Sequence, residues 1–148
     1  MLSSELTALM NARFGHDNLI ALATLDGDAP AVRTVNAYYE DSCFYTITYA
    51  LSGKMQQIAA NPRIAICGDW FTARGIGESL GHILLPENTS MADKLRSVFA
   101  AWYSNGHINE ADPNTIILRI RLTDGILFHQ GIDTKLTSRN HFSSDRSE

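Results

Sequence analysis

The chain predicts a mostly β fold: a six- to seven-stranded, mainly antiparallel barrel or sheet with two or three flanking helices. Three observations carry this. Short runs of β-branched and aromatic residues recur through the 148 residues, and Thr115–Leu122 alternates cleanly. Turn clusters such as Asp26-Gly27-Asp28-Ala29-Pro30 and Glu40-Asp41-Ser42 separate successive runs. Helical spacing is confined to Ser4–Phe14, Ser52–Asn61 and the stretch after Ser90.

Ser4–Phe14 places Leu6, Leu9, Met10 and Arg13 on one face, and Gly15 can close the helix. It is expected to pack across a barrel end. Asn18–Leu25 is an apolar strand, and Ala31–Tyr39 is its hairpin partner. In the partner strand Arg33, Val35, Ala37 and Tyr39 share one face, while Val32, Thr34, Asn36 and Tyr38 share the other. Cys43–Tyr49 is the next strand. Ser52 then caps a short helix with Met55, Ile58 and Ala59 on one face, and Asn61-Pro62 ends it. Arg63–Cys67 returns to strand, and Gly77–Leu85 reads as a bent barrel strand. Ser90 starts a helix with Asp93 in the capping-box position. Its stripe of Met91, Leu95, Val98, Phe99 and Trp102 covers the barrel, and Asn105-Gly106 stops it. In Thr115–Leu122, residues Ile116, Leu118, Ile120 and Leu122 point inward, with Ile117, Arg119 and Arg121 outward. Thr123-Asp124-Gly125 reads as a turn, Ile126–Gln130 as a further strand, and the stretch from Ile132 as a fraying polar tail.

The length fits one domain, residues 1–148, with an N-terminal helix over 1–15 and a polar tail over about 133–148. A formal net charge of −4 with mixed signs argues against a general nucleic-acid binder. No apolar run approaches the roughly 20 residues a membrane helix needs, and the N-terminal stretch does not read as a secretory signal. Cys43 and Cys67 lack redox or metal spacing and are expected as small buried hydrophobes, so a reduced, cytoplasmic setting is the default. The five histidines show no metal-ligand spacing. No nucleophile elbow, phosphate-binding loop or paired-carboxylate pattern stands out.

The helix after Ser52 is the informative element. Residues 52–61 contain no acid, and Lys54 falls in the first turn, where a cation adds to the positive helix end. Free backbone N–H groups, the Ser52 hydroxyl and the Lys54 ammonium would converge on an anion, most naturally a phosphate. The same residues also suit a solvated lysine on a surface helix. Arg33, inside a strand, is costly to bury without an anion or acceptor, and the residues alone favour an exposed arginine on a half-solvated face.

The ordered set Thr48, Ser52-x-Lys54, Gln57-Ile58 and Asn61-Pro62-Arg63-Ile64, with Arg33-Thr34-Val35 upstream, resembles the flavin-binding segment of the pyridoxamine 5'-phosphate oxidase-like family. The likeness is good over roughly residues 18 to 85. It implies the FMN-binding split β-barrel, usually a homodimer with flavin at the interface. Carried over by position, Arg33, Ser52 and Lys54 would bind the phosphate end, and Thr34, Val35, Asn36, Ile47 and Thr48 would line the ring and ribityl chain. Two positions depart from the vitamin oxidases: Ile47 replaces a tyrosine, and Gly53 replaces a second phosphate-binding arginine. The resemblance puts Trp70 and Phe71 either over the ring or at a dimer seam. Vitamin B6 oxidation itself is not expected, because Thr123–Glu148 has no tryptophan and lacks the family's arginine–histidine spacing.

The implied activity is an FMN-dependent oxidoreductase, with hydride passing through the flavin and a reduced nicotinamide or small organic molecule as partner. The alternatives are a flavin-binding protein of the general-stress type without efficient turnover, or a related barrel using deazaflavin. Haem is disfavoured because no histidine is placed as an axial ligand.

Overall fold

The computed structural model describes residues 4–137 and the backbone of residues 142–145. Strands β1 (Asn18–Asp26), β2 (Ala29–Glu40), β3 (Cys43–Tyr49), β4 (Arg63–Gly68), β5 (Phe71–His82) and β6 (Thr115–His129) lie in the order β3-β2-β1-β4-β5-β6. Pairing of β3 with β6 closes them into a six-stranded antiparallel barrel. Beyond the barrel, β7 (Ile132–Leu136) and β8 (Phe142–Asp145) extend the sheet from β6. Three helices flank it, α1 (Ser4–Phe14), α2 (Gly53–Ala60) and α3 (Thr89–Val98).

The β1–β2 hairpin follows from its turn. Asp26 pairs with Ala29 across Gly27-Asp28, and Gly27 takes φ +65°, which glycine adopts at little cost. Alternation along β2 puts Arg33, Val35, Ala37 and Tyr39 on one face, as the pattern predicts, and that face turns inward. The two barrel ends are plugged differently. Helix α1 buries Leu6, Met10 and Phe14 at one end, where the Phe14 ring lies 5.6 Å from Phe44 and 5.2 Å from Phe71. Helix α2 inserts Met55 and Ile58 at the other, and Gly77 of β5 makes room for it, since a Cβ there would sit 3.1 Å from Ile58.

The structure corrects four sequence expectations. Thr123-Asp124-Gly125 is not a turn. β6 is continuous, and Arg74 pairs with Asp124 while Gly75 pairs with Leu122, so Thr123 is accommodated as a bulge. β6 is held on both edges, by β5 on one and by β3 then β7 on the other, and this overrides the local turn preference. The stretch from Ile132 is not a frayed tail as far as Leu136. Gln130 and Gly131 both take positive φ, the geometry of a tight hairpin, and return the chain as β7 with Thr134 and Leu136 buried. Residues 138–141 and 146–148 of the expected tail lie outside the described residues.

Helix α3 ends at Val98 rather than at Asn105-Gly106, and Asp93 pairs with Arg96 at 2.8 Å instead of capping. The chain continues from the fully buried Phe99 in successive tight turns, Trp102 N–H to Phe99 C=O and Asn105 N–H to Trp102 C=O, both 3.1 Å. These turns keep Trp102 and Tyr103 against a second apolar cluster of Ile83, Ala92, Leu95, Phe99 and Ile117. Ile117 thus points outward as expected but is covered by α3. Finally, Cys43 is half-buried and Cys67 exposed, because both occupy outward positions on their strands while Phe44 and Ile66 turn in. No helix among the described residues is long and apolar enough to cross a membrane.

Two glycines test this packing. A Cβ at Gly75 would meet the Arg121 carbonyl oxygen at 2.5 Å, whereas one at Gly53 would meet only the end of Gln57, at 4.0 Å. Gly75→Ala is expected to destabilise by about 1–3 kcal/mol. Gly53→Ala is expected to be neutral or to stabilise by up to about 1 kcal/mol through helix propensity and the unfolded chain. Urea unfolding midpoints of the two variants check the contrast.

Candidate functional site

The barrel is closed unevenly. β2 pairs with β3 only at Tyr38–Glu40 against Cys43–Tyr45. Beyond that point β2 stays with β1 to its start at Ala29, while β3 stays with β6 to its end at Tyr49. The two strands therefore separate, and backbone N–H and C=O groups along the facing edges have no ladder partner. A cleft of about 480 Å³ lies at this split. Val35, Asn36, Thr46, Ile47 and Lys54 line one side. Trp102, Asn105, His107 and Ile108, from the turns after α3, line the other.

Lys54 reaches this cleft because Ser52 caps α2. The Ser52 Oγ accepts from the Met55 N–H at 3.4 Å and its C=O accepts from the Gln56 N–H at 3.1 Å. The amides of Gly53 and Lys54 are left without an acceptor inside the helix. Lys54 Nζ donates to Thr48 Oγ1 at 2.5 Å. Burial, and then the positive charge of Arg33, hold the Lys54 ammonium below the usual lysine range.

Arg33 stands behind the cleft, inside the barrel mouth. It donates from one terminal nitrogen to Thr24 Oγ1 at 2.7 Å and to the Leu22 carbonyl at 3.3 Å, and from the other to Gln57 Oε1 at 3.0 Å. Thr24 Oγ1 also donates to that Gln57 oxygen, at 2.6 Å. All these acceptors are neutral. Among the described residues, neither Arg33 nor Lys54 forms an ion pair, although Arg74, Lys94, Arg96 and Arg119 each do. α2 has no acid in its first turn, and no carboxylate lines the cleft. Asp17, beside it, has both oxygens occupied, by Asn36 Nδ2 at 2.9 Å and Trp102 Nε1 at 2.8 Å. Two cations facing neutral partners near an open helix end are an arrangement able to hold an anion.

Of the residues nominated from sequence, Val35, Asn36, Ile47 and Lys54 come together around the cleft, and Thr48 joins them through Lys54. Ser52 shapes the helix end. Arg33 is one layer deeper, and Thr34 is exposed on the outer face of β2, away from the cleft lining. Thr24 and Gln57 were not foreseen as Arg33 partners, although Gln57 lies in the quoted motif. The wall containing Trp102 was hidden because Trp102 falls in an apolar helical stripe. Trp70 and Phe71 do not cover the cleft. Phe71 is buried against Phe14 in the core, and Trp70, 70% exposed, leans on Phe128 beyond the α1 end. Arg119 is paired with Glu78 at 2.9 Å, and His82 Nε2 donates to the Glu110 carbonyl at 2.6 Å.

A larger groove of about 610 Å³ lies outside β4–β7. Its Arg74 is already neutralised by a two-point contact with Asp124, at 2.9 and 2.7 Å.

Comparison with known proteins agrees with this architecture. The profile of the family described as pyridoxamine 5'-phosphate oxidase matches residues 6–129. The fold is shared with General Stress Protein 26 from Bacillus anthracis, at 16% identity and TM-score 0.63, over 95% of this chain and 98% of that one. It is shared with an FAD-binding protein from Mesorhizobium loti, at 17% identity and TM-score 0.63, over 83% of this chain and 91% of that one. An F420 reductase also matches, at 19% identity and TM-score 0.57, over 78% of this chain and 94% of that one. No curated protein matches the chain.

Lys54 yields a pH prediction. Its folded-state pKa is lowered, so between the lowered and ordinary values the unfolded chain binds more protons, and stability rises with pH across that window. Burial raises the pKa of Tyr38, Tyr39, Cys43, Tyr45 and Tyr103 and pulls alkaline stability the other way, so the Lys54 contribution is read as the difference between wild type and Lys54→Met in urea unfolding at alkaline pH. NMR of the lysine side chain should find Lys54 titrating below its solvated counterparts and moving upward when an anion binds.

Proposed function

The chain belongs to the pyridoxamine 5'-phosphate oxidase family, and from that premise we propose that it binds FMN in the split between β2 and β3 and serves as a flavin-dependent oxidoreductase. One observation carries the reading: Lys54 and Arg33 form an adjacent cation pair with no acidic partner among the described residues, at the open end of α2. A phosphate monoester supplies the missing charge. The diverging strand edges offer backbone donors and acceptors to a flat heterocycle, and Val35 and Ile47 offer apolar contact. Thr48, already bonded to Lys54, stands where a ribityl hydroxyl can replace or extend that bond.

The bound flavin would supply hydride acceptance and donation. The chain's own residues would anchor the phosphate, orient the ring and keep water from one of its faces. The source or recipient of the hydride would be a reduced nicotinamide or a small organic molecule. The C-terminal segment, with no tryptophan and without the arginine–histidine spacing, argues against vitamin B6 oxidation. The second reading is a flavin carrier without efficient turnover, favoured by the fold shared with a general stress protein. A deazaflavin in the same split is the third, favoured by the fold shared with an F420 reductase. A homodimer with flavin at its interface is part of the proposal. Leu19 and Val32, on neighbouring strands β1 and β2, are 66% and 69% exposed and invite a partner copy.

Purified protein is expected to be yellow, or to become so on adding FMN, with FMN identified by mass. Bleaching by NADH or NADPH and reoxidation in air would support turnover; an inert flavin would favour the carrier. Uptake of deazaflavin but not FMN would overturn the FMN assignment. Lys54→Ala and Arg33→Ala should each weaken FMN binding by roughly 1.5–3 kcal/mol, the range for hydrogen bonds to charged groups. Lys54→Ala should leave riboflavin, which lacks the phosphate, bound as before. Val32→Glu should shift the protein from dimer to monomer in sedimentation.

A further inference from the structure

We propose that Asp17 is the positioning residue for the ring end of the cleft, holding Trp102 as a wall and Asn36 as an oriented acceptor for a planar ligand that carries a ring N–H. This inference rests on the flavin reading above and concerns the end of the cleft away from the phosphate.

Asp17 lies in the short connection between α1 and β1, which is firmly tied. The Gly15 N–H donates to Asn11 C=O at 2.8 Å, and the Asn18 side-chain amide donates to the carbonyls of Phe14 and His16 at 2.8 and 2.7 Å. From this fixed point the carboxylate bridges two segments distant in sequence. Oδ1 accepts from Asn36 Nδ2 at 2.9 Å, and Oδ2 accepts from Trp102 Nε1, 85 residues away, at 2.8 Å.

The chemistry of the three groups removes ambiguity. An ionised carboxylate only accepts and an indole N–H only donates. Asn36 can therefore meet Asp17 only through its NH2, which leaves its carbonyl oxygen as the acceptor available to a ligand. Trp102 requires such a tie because it lies past the end of α3, in turns rather than a helix, with Phe99 at 4.9 Å as its nearest ring neighbour. Both Asn36 and Trp102 line the cleft. The cleft is thus polarised: cation and open helix end toward Lys54, flat aromatic wall and neutral acceptor toward Asp17. Oxidised isoalloxazine, a planar ring whose single N–H is flanked by carbonyls, matches the second end as a phosphate matches the first.

The test is a pair of titrations, FMN and riboflavin, on intact protein. Asp17→Asn, Asn36→Ala and Trp102→Ala should each weaken FMN and riboflavin alike, by up to about tenfold, the upper end for one neutral hydrogen bond. Lys54→Ala should weaken FMN alone. The chain has two tryptophans, so Trp70→Phe leaves Trp102 as the sole emitter. Its emission should be quenched by either flavin more strongly than that of Trp70 in Trp102→Phe. Circular dichroism melting screens the variants for folding, and if Asp17→Asn does not fold, Asn36→Ala and the quenching contrast decide. Wild-type binding of both flavins with unchanged affinity in these ring-end variants, or weakening of FMN only, overturns the proposal while the flavin reading stands. Wild-type protein that binds neither flavin overturns both.

Discussion

The divergence of β2 from β3 is the constraint on which the rest depends. A six-stranded barrel has room inside for side chains but not for a large heterocycle, and here the interior is filled by Phe14, Phe44, Tyr39 and their neighbours. Where the ring of hydrogen bonds opens, the fold offers a cleft. β3 keeps its ladder with β6 and β2 keeps its ladder with β1, so the opening leaves the barrel closed at the α1 end and parted at the α2 end. Helix α2 then lies at the mouth with its positive end toward the gap.

This arrangement is unfavourable in the absence of a ligand. Lys54 is half-buried near Arg33, and burial and then that positive charge disfavour its ammonium without a carboxylate to offset them. Arg33 is accommodated by Thr24, Gln57 and a main-chain carbonyl, which satisfy its donors but not its charge. A bound anion would relieve charge repulsion of this kind, so under the proposed function the local stability cost and the binding fall on the same residues. The neutral network behind the cleft has its own consequence. Gln57 Oε1 accepts from both Thr24 and Arg33, so α2 is attached to β1 and β2 through one oxygen, and any shift of that helix moves the anion receptor with it.

Much of the fold was legible from local pattern. Ser52 as a cap, Asn61-Pro62 as a stop and the acid-free first turn each act within a few residues, and all appear as expected. The inward face of Ile116–Leu122 and the grouping of Arg33, Val35, Ala37 and Tyr39 on one face of β2 followed from alternation, whereas the inward turn of that β2 face came from the packing. The misreadings share a cause. Asp124-Gly125 favours a turn locally, yet Gly125 is needed because Thr72 O and Ala73 Cβ lie 2.7 and 2.9 Å from where its Cβ would be. Trp102 was assigned to the apolar stripe, and it does pack on Phe99, but its indole N–H is spent on a residue from the opposite end of the chain.

The sequence by itself determined the strand and hairpin order, the capped helix with its lone first-turn lysine, the shared β2 face of Arg33, Val35, Ala37 and Tyr39, and the membership that the motif order announced. These depend on backbone preferences and side-chain periodicity over short windows, and such forces are fully present in any short segment. Tertiary structure alone decided that β3 closes onto β6, that Thr123 becomes a bulge, that Ile117 is covered, and that Asp17 meets Asn36 and Trp102. Each of these brings together groups separated by tens of residues, where the entropy of loop closure is recovered only when the whole core packs at once. The cleft belongs to this second kind, since an opening between two strands exists only after every other pair has found its partner.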